Sequence, residues 1–150
     1  TIDRIIDQFS SDRQEQIQDL LTLIRCIRES KDLSHRISLY CTGNSGLTGL
    51  LLSAVTQNLD KLVLDGDHFD PTTDPNMLKL EIPGILRIGG LKTFLALAGH
   101  QRLMLFNAHE SLCGPDIKAV AALAGNKNSF IVTQKETSPD EAIRFIKSEK

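Results

Sequence analysis

The sequence predicts an α/β fold: a mostly parallel sheet of about four strands with helices on both faces. Three observations lead there. Four short apolar runs, Arg36–Cys41, Lys61–Asp65, Gln101–Phe106 and Ser129–Thr133, read as strands. Each is followed by a segment with helical periodicity or helix start and stop signals. That strand–helix alternation calls for parallel strands joined by right-handed crossovers. At 150 residues the chain has the size of one domain, 1–150, able to bury a core.

Taken in order, Thr1–Ser11 is polar with scattered Ile2, Ile5, Ile6 and Phe9, a short helix or an ordered arm. Ser10 or Ser11 offers an N-cap, and Asp12 and Glu15 favour the positive end of a helix. Ile17, Leu20, Leu21, Ile24 and Ile27 recur at three and four, one apolar face of a helix over about Asp12–Ser30. After the first strand, Gly46–Asn58 is helical. Gly66–Pro83 is rich in Asp, Pro and Thr and reads as a loop with a turn of helix near Met77–Leu80. Pro83-Gly84 and Gly89-Gly90 bracket Ile85–Ile88, and a helix over Leu91–Ala98 stops at Gly99. Pro115 suits the first turn of a helix over Asp116–Ala124, closed by Gly125. Ser138 caps a last helix, with Pro139 first and Glu141 third, running to about Ser148. If the strands lie in sequence order, the first has an open edge, so either another part of a longer protein covers it or the order is not sequential.

Composition excludes several functions. A net charge of −2 with mixed signs gives no footprint for nucleic acid or an anionic membrane. One Tyr and no Trp leave no stacking platform for single strands. No apolar run reaches the roughly 20 residues of a bilayer span. Cys26, Cys41 and Cys113 are odd in number and far apart, so they read as free, mostly buried thiols of a reducing, cytoplasmic compartment. The chain begins at Thr1 rather than Met, which reads as a piece of a longer protein.

The stretch that could carry chemistry is Ile37–Leu52, a strand, a turn of small residues and a helix. In α/β proteins ligands sit at the carboxyl ends of the strands, and this layout is that of a nucleophile elbow. Arg36-Ile37-Ser38-Leu39-Tyr40-Cys41-Thr42-Gly43-Asn44-Ser45-Gly46 resembles the elbow string of α/β-hydrolases. The likeness extends to Arg13–Ile24, to Leu64-Asp65-Gly66, to Ile82-Pro83-Gly84-Ile85-Leu86-Arg87-Ile88-Gly89-Gly90-Leu91 and to Gln101–Asn107. Together these resemble the C-terminal half of acetyl xylan esterase-like α/β-hydrolases. The resemblance implies ester hydrolysis with no cofactor, an ester or sugar as the small-molecule partner, and a missing N-terminal half that would meet the open edge.

Carried over residue by residue, the triad is incomplete. Cys41 and Ser45 fill the two small positions of the elbow, and Gly43 stands in the nucleophile slot without a side chain. With Asn107 in place of the Gly that closes the acid strand, Glu110 takes the acid slot. No histidine follows the last strand within Thr133–Lys150. Nucleophile and base act as a unit, so their joint loss argues against triad hydrolysis. Ser45 is the nearest serine, and a shifted elbow would make it the nucleophile. Leu47 is then bulky where a small residue belongs, which favours a turn or cap role. His109 and Glu110 share a strand-end loop where a base could sit, or are a solvated loop pair. Asp65, Asp67, His68 and Asp70 cluster after the second strand but lack the order of a calcium loop, which favours turn roles and no metal site. Cys41 at a buried strand end is expected to be inert. Gly43, Gly46 and Gly49 are not followed by the Lys of a P-loop, so tight turning and close packing explain them better than a phosphate site. His35 and His100 fall at element ends.

The expectation is therefore a hydrolase-like domain that is catalytically inactive or incomplete. The alternative is a module that binds a small polar ligand at Gly43, Asn44 and Asp65, or a protein partner or a second copy through an open sheet edge. Backbone geometry discriminates one point: Gly43, rather than Ser45, should hold the strained apex, with Asn44 beginning the helix.

Overall fold

The computed structural model describes residues 13–32, 36–56, 59–82, 84–125 and 129–148. The Thr1–Ser11 arm, the caps Ser10 and Ser11, Asp12, His35, Asn58 and Pro83 lie outside them. The apolar stripe of the first helix, α1 (Arg13–Glu29), behaves as its spacing predicts: Ile24 is buried, and Ile17, Leu20 and Leu21 pack beside it on the core. Then come β1 (Leu39–Cys41), α2 (Ser45–Val55), β2 (Lys61–Asp65), α3 (Asp74–Leu78), α4 (Gly90–Leu97), β3 (Arg102–Phe106), α5 (Pro115–Leu123), β4 (Phe130–Val132) and α6 (Pro139–Lys147).

The four strands form one parallel sheet in the order β1-β2-β3-β4. Sequential order with crossovers of one hand places the connecting helices on a single face, and the register shows it. Leu39, Leu62, Leu103 and Phe130 stand in one row, and Cys41, Leu64, Leu105 and Val132 in another. Both rows enter the main core, with α1, α2, α4 and α5 packed on them. The intervening row, Tyr40, Val63, Met104 and Ile131, points the other way. Only its middle is covered, by Ala142, Phe145 and Ile146 of α6. Helices thus lie on both faces, but unequally, and Tyr40 and Ile131 remain 37% exposed at the two edges.

Lys61 is the means by which α6 is held down. It is 2% exposed, yet its ammonium donates to the carbonyls of Phe145 (3.0 Å), Ile146 (2.9 Å) and Ser148. Phe145 O also accepts from Ser148 N (3.3 Å) and Ser148 Oγ (2.8 Å). The last carbonyls of a helix lack the i+4 donors of its interior, and the helix dipole favours a cation there. At the other end of α6 the expected capping box forms: Ser138 Oγ accepts from Glu141 N, and Glu141 Oε2 accepts from Ser138 N.

Several expected boundaries move. The first and last strands are shorter than their apolar runs, because only three residues of each pair with a neighbour. The Asp-Pro-Thr loop holds a helix earlier than expected, α3, because Thr73 caps it by accepting from Asn76 N and Pro75 suits its first turn. Gly99 is not a left-handed stop. It is buried in a final 3-10 turn, where a Cβ would meet Val120 Cγ1 at 3.3 Å, so it is small for packing against α5. Gly125 does close α5 in the left-handed conformation, with φ +78°. No helix of the described residues is long and apolar enough to cross a membrane.

Candidate functional site

The carboxyl ends of β1, β2 and β3 converge on Asp65. Its Oδ2 accepts from Gly43 N at 2.9 Å, and its Oδ1 accepts from Asp67 N at 2.9 Å and from Asn107 Nδ2 at 2.9 Å. One carboxylate therefore ties three strand ends together. With three donors on it, Asp65 holds these strand ends in place. The backbone crosses closely here: Gly66 N donates to Phe106 O at 2.7 Å and His68 N to Asn107 O at 3.0 Å.

The β1–α2 turn passes from strand to helix through one residue at positive φ. Gly43 carries φ +54°, and a Cβ built on it would meet nothing within 4 Å. The apex thus points its missing side chain into open space. Asn44 follows with right-handed angles (φ −57°, ψ −23°) as the N-cap, and α2 runs from Ser45. The expected assignment of Gly43 to the apex holds; the helix itself begins one residue after Asn44. Behind the apex the packing is tight. A Cβ on Gly46 would lie 1.9 Å from the Asp65 carbonyl oxygen, and one on Gly49 would lie 2.6 Å from Leu64 Cδ2 and 2.9 Å from Cys41 Sγ. Small residues at 46 and 49 let α2 start directly against β2.

A buried arginine braces this turn. Arg13, 8% exposed, donates Nη1 to Asn44 O (3.2 Å) and to Thr48 Oγ1 (3.0 Å), and Nη2 to Asn44 Oδ1. Burial pushes its pKa down, opposed by the nearby Glu81 carboxylate. The sequence carried a signal for this: Arg13 continues the stripe of Ile17, Leu20 and Ile24 at helical spacing, so a cation stands where an apolar residue is expected.

The other candidates are not brought together as a triad. Ser45 is exposed, and its hydroxyl donates to Thr42 O at 2.6 Å, a local turn bond. His109 caps a 3-10 turn at Glu110–Leu112: Nδ1 accepts from Ser111 N at 3.2 Å and lies 2.9 Å from Ser111 Oγ. In neutral His109 the proton therefore sits on Nε2, which faces Asp70 Oδ1 at 3.6 Å. Glu110 is exposed, and its carboxylate makes no hydrogen bond or ion pair among the described residues. Asp70 Oδ1 also accepts from Thr72 N (2.8 Å) and Thr72 Oγ1 (2.5 Å), and these bonds hold its pKa down. Among the described residues no group of three His, Cys, Asp or Glu side chains is arranged to hold a metal ion. Asp70 takes the turn role expected of it, whereas Asp65 bonds beyond its own turn to the ends of two other strands.

Cys41 is buried, and desolvation pushes its thiol up to about 11, which makes it a poor nucleophile at neutral pH. Cys113 is raised by the same cause, and Cys26 is exposed, unlike the buried thiol expected. Asn107 takes φ +49°, the left-handed conformation that Asn tolerates more readily than most residues. Its Oδ1 is buried without a hydrogen-bond partner. Comparison with protein-family models, with curated proteins and with solved structures finds no match to this chain.

Proposed function

We propose that this chain is a hydrolase-like domain, similar to the C-terminal half of acetyl xylan esterase-like α/β-hydrolases, that has lost ester hydrolysis. One observation carries the reading: the residue at the open, positive-φ apex of the strand–turn–helix is Gly43. A seryl hydroxyl there would stand clear of the sheet at the start of α2, and glycine supplies no nucleophile. Three further features support it. The strands lie in sequence order, Asn107 adopts the conformation of the glycine it replaces, and His109 and Ser45 are each bonded within their own turns. On this reading the outer edge of β1 is where the remaining strands of such a sheet would pair. The test is turnover of 4-nitrophenyl acetate by the wild-type chain and by Ser45→Ala, with both expected at the rate of buffer alone. Saturable turnover that vanishes in Ser45→Ala would overturn the proposal.

A second reading, a module that binds a small polar ligand such as a sugar, has its own observation. Asn107 Oδ1 is an unsatisfied buried acceptor beside Asp65, and such a group is costly unless a donor reaches it. A ligand hydroxyl would satisfy it once the Asn107 turn opens to admit it, the atom being closed to solvent as it stands. Melting curves with xylo-oligosaccharides, acetylated and free, are the measurement. A rise in Tm that is lost in Asn107→Gly, which keeps the positive φ, supports this reading, and unchanged melting removes it.

A further inference from the structure

Among the described residues the sheet ends at β4, which has β3 as its one neighbour there. The ladder shows which backbone groups are spent. Leu103 N donates to Ser129 O, and Thr133 N donates to Leu105 O, both at 2.9 Å. In a parallel pair alternate residues face the neighbour. Ser129, Ile131 and Thr133 therefore face β3, and Phe130 and Val132 direct their N–H and C=O groups outward. Grooves flank this edge on both faces. One, of about 450 Å³, lies beside α6 over Met104, Ile131 and Phe145. The other, of about 340 Å³, lies beside α5 over Ala121, Phe130 and Val132.

We propose that β4 pairs with β4 of a second copy of this chain, antiparallel about a two-fold axis at Ile131, to give a continuous eight-stranded sheet. The register is self-consistent. A two-fold at residue 131 sets Phe130 opposite Val132 of the second copy, and both are the residues whose groups point outward. Each such pair exchanges two bonds, so all four outward groups on each β4 are satisfied. Ile131 then meets itself as a non-hydrogen-bonded pair, the closer type, and covers the 37% of it left exposed. Phe130 lies against Val132 of the second copy, a favourable aromatic–branched pair. Charge favours a second copy over a charged peptide. The α6 groove carries Lys135 and Arg144 with Glu136 and Glu141, two of each sign, which an isologous contact can set acid to base. On the α5 side the charge is Lys118, exposed on a stem long enough to turn to water. The inference does not depend on the hydrolase resemblance, which concerns the opposite edge.

The test is sedimentation equilibrium of the full chain over a range of concentrations, with two variants. The wild type is expected to approach twice its 16.6 kDa mass. Val132→Pro removes an outward N–H and no bond to β3, so it is expected to stay monomeric with an unchanged circular dichroism spectrum. Ile131→Cys, in a Cys26→Ser background, is expected to form a disulfide dimer under mild oxidation, because the paired Cα atoms lie within disulfide reach. Val132→Cys, which faces Phe130 instead of itself, is expected to cross-link far less. A wild type that stays monomeric at all concentrations overturns the proposal. So does a dimer that persists in a folded Val132→Pro, or equal cross-linking at 131 and 132. Should Val132→Pro fail to fold, the 131-against-132 cross-linking comparison decides alone.

Discussion

Gly46→Ala is the substitution that probes the elbow most sharply. The added methyl would lie 1.9 Å from the Asp65 carbonyl oxygen and 2.6 Å from the Asp65 carbonyl carbon and amide nitrogen. Those are backbone atoms of a central strand and cannot swing aside as a side-chain end would. Relief requires α2 to withdraw from β2 by more than an ångström. That breaks the Gly43 N–Asp65 bond and loosens Leu47 and Leu50 in the core. Overpacking typically costs 1–3 kcal/mol, and a rigid backbone neighbour places this case at the upper end, about 3 kcal/mol. Against a total stability of roughly 5–15 kcal/mol that is a large share. For a chain of this length it corresponds to a Tm drop of about 6–12 °C. Gly43→Ala is the matched control. It meets open space, so its cost is the positive φ alone, about 1–2 kcal/mol, partly offset by roughly 0.4–1 kcal/mol of lost freedom in the unfolded chain. Urea unfolding of both variants measures the difference. The reasoning is refuted if Gly46→Ala falls within about 0.5 kcal/mol of wild type, or is no worse than Gly43→Ala.

Three further outcomes are expected. Arg13→Met leaves Asn44 O, Asn44 Oδ1 and Thr48 Oγ1 without their buried donor, so it should cost about 2 kcal/mol and speed amide exchange at residues 44–48; unchanged exchange there would show that the turn does not need its brace. Lys61→Met strips the donor from the last carbonyls of α6, so proteolysis within 139–148 should accelerate at a similar cost in stability; equal cleavage rates would mean that Ala142 and Phe145 hold the helix alone. Cys41 is an acid whose folded pKa, about 11, lies above its ordinary value of 9.0. The unfolded chain then loses this proton first, so stability is unaffected below pH 9 and falls between pH 9 and 11. Cys41→Ala should lack this component, and identical pH profiles for the two proteins would contradict the burial argument.

The fold was legible where the chain repeats a local rule. Ser138-Pro139-Asp140-Glu141 forms its capping box because every bond in it is made within four residues. Gly43 is at the apex because a strand entering a helix through a tight turn needs one residue at positive φ. What escaped was long-range pairing of charge. No local rule marks the partners of Lys61 or Arg13, and only the arrival of residues 145–148 and 44–48 makes burying them tolerable. The strand ends escaped for the same reason. Arg36–Cys41 is apolar enough for a longer strand, but β2 offers partners only to residues 39–41. At the candidate site, residue identity located the turn, the Asp65 cluster and the His109 loop. It could not tell that Asp65 spends its carboxylate on three strand ends, or that His109 and Ser45 are bonded within their own turns.

The central claim is that the turn presents an apex without a nucleophile, and the most direct measurement is intact-mass analysis after exposure to a fluorophosphonate. A competent seryl hydrolase reacts with it through the activated hydroxyl. The unmodified mass is expected for the wild type and for Ser45→Ala alike. A stoichiometric adduct on the wild type that maps to Ser45 and is absent from Ser45→Ala would contradict the account.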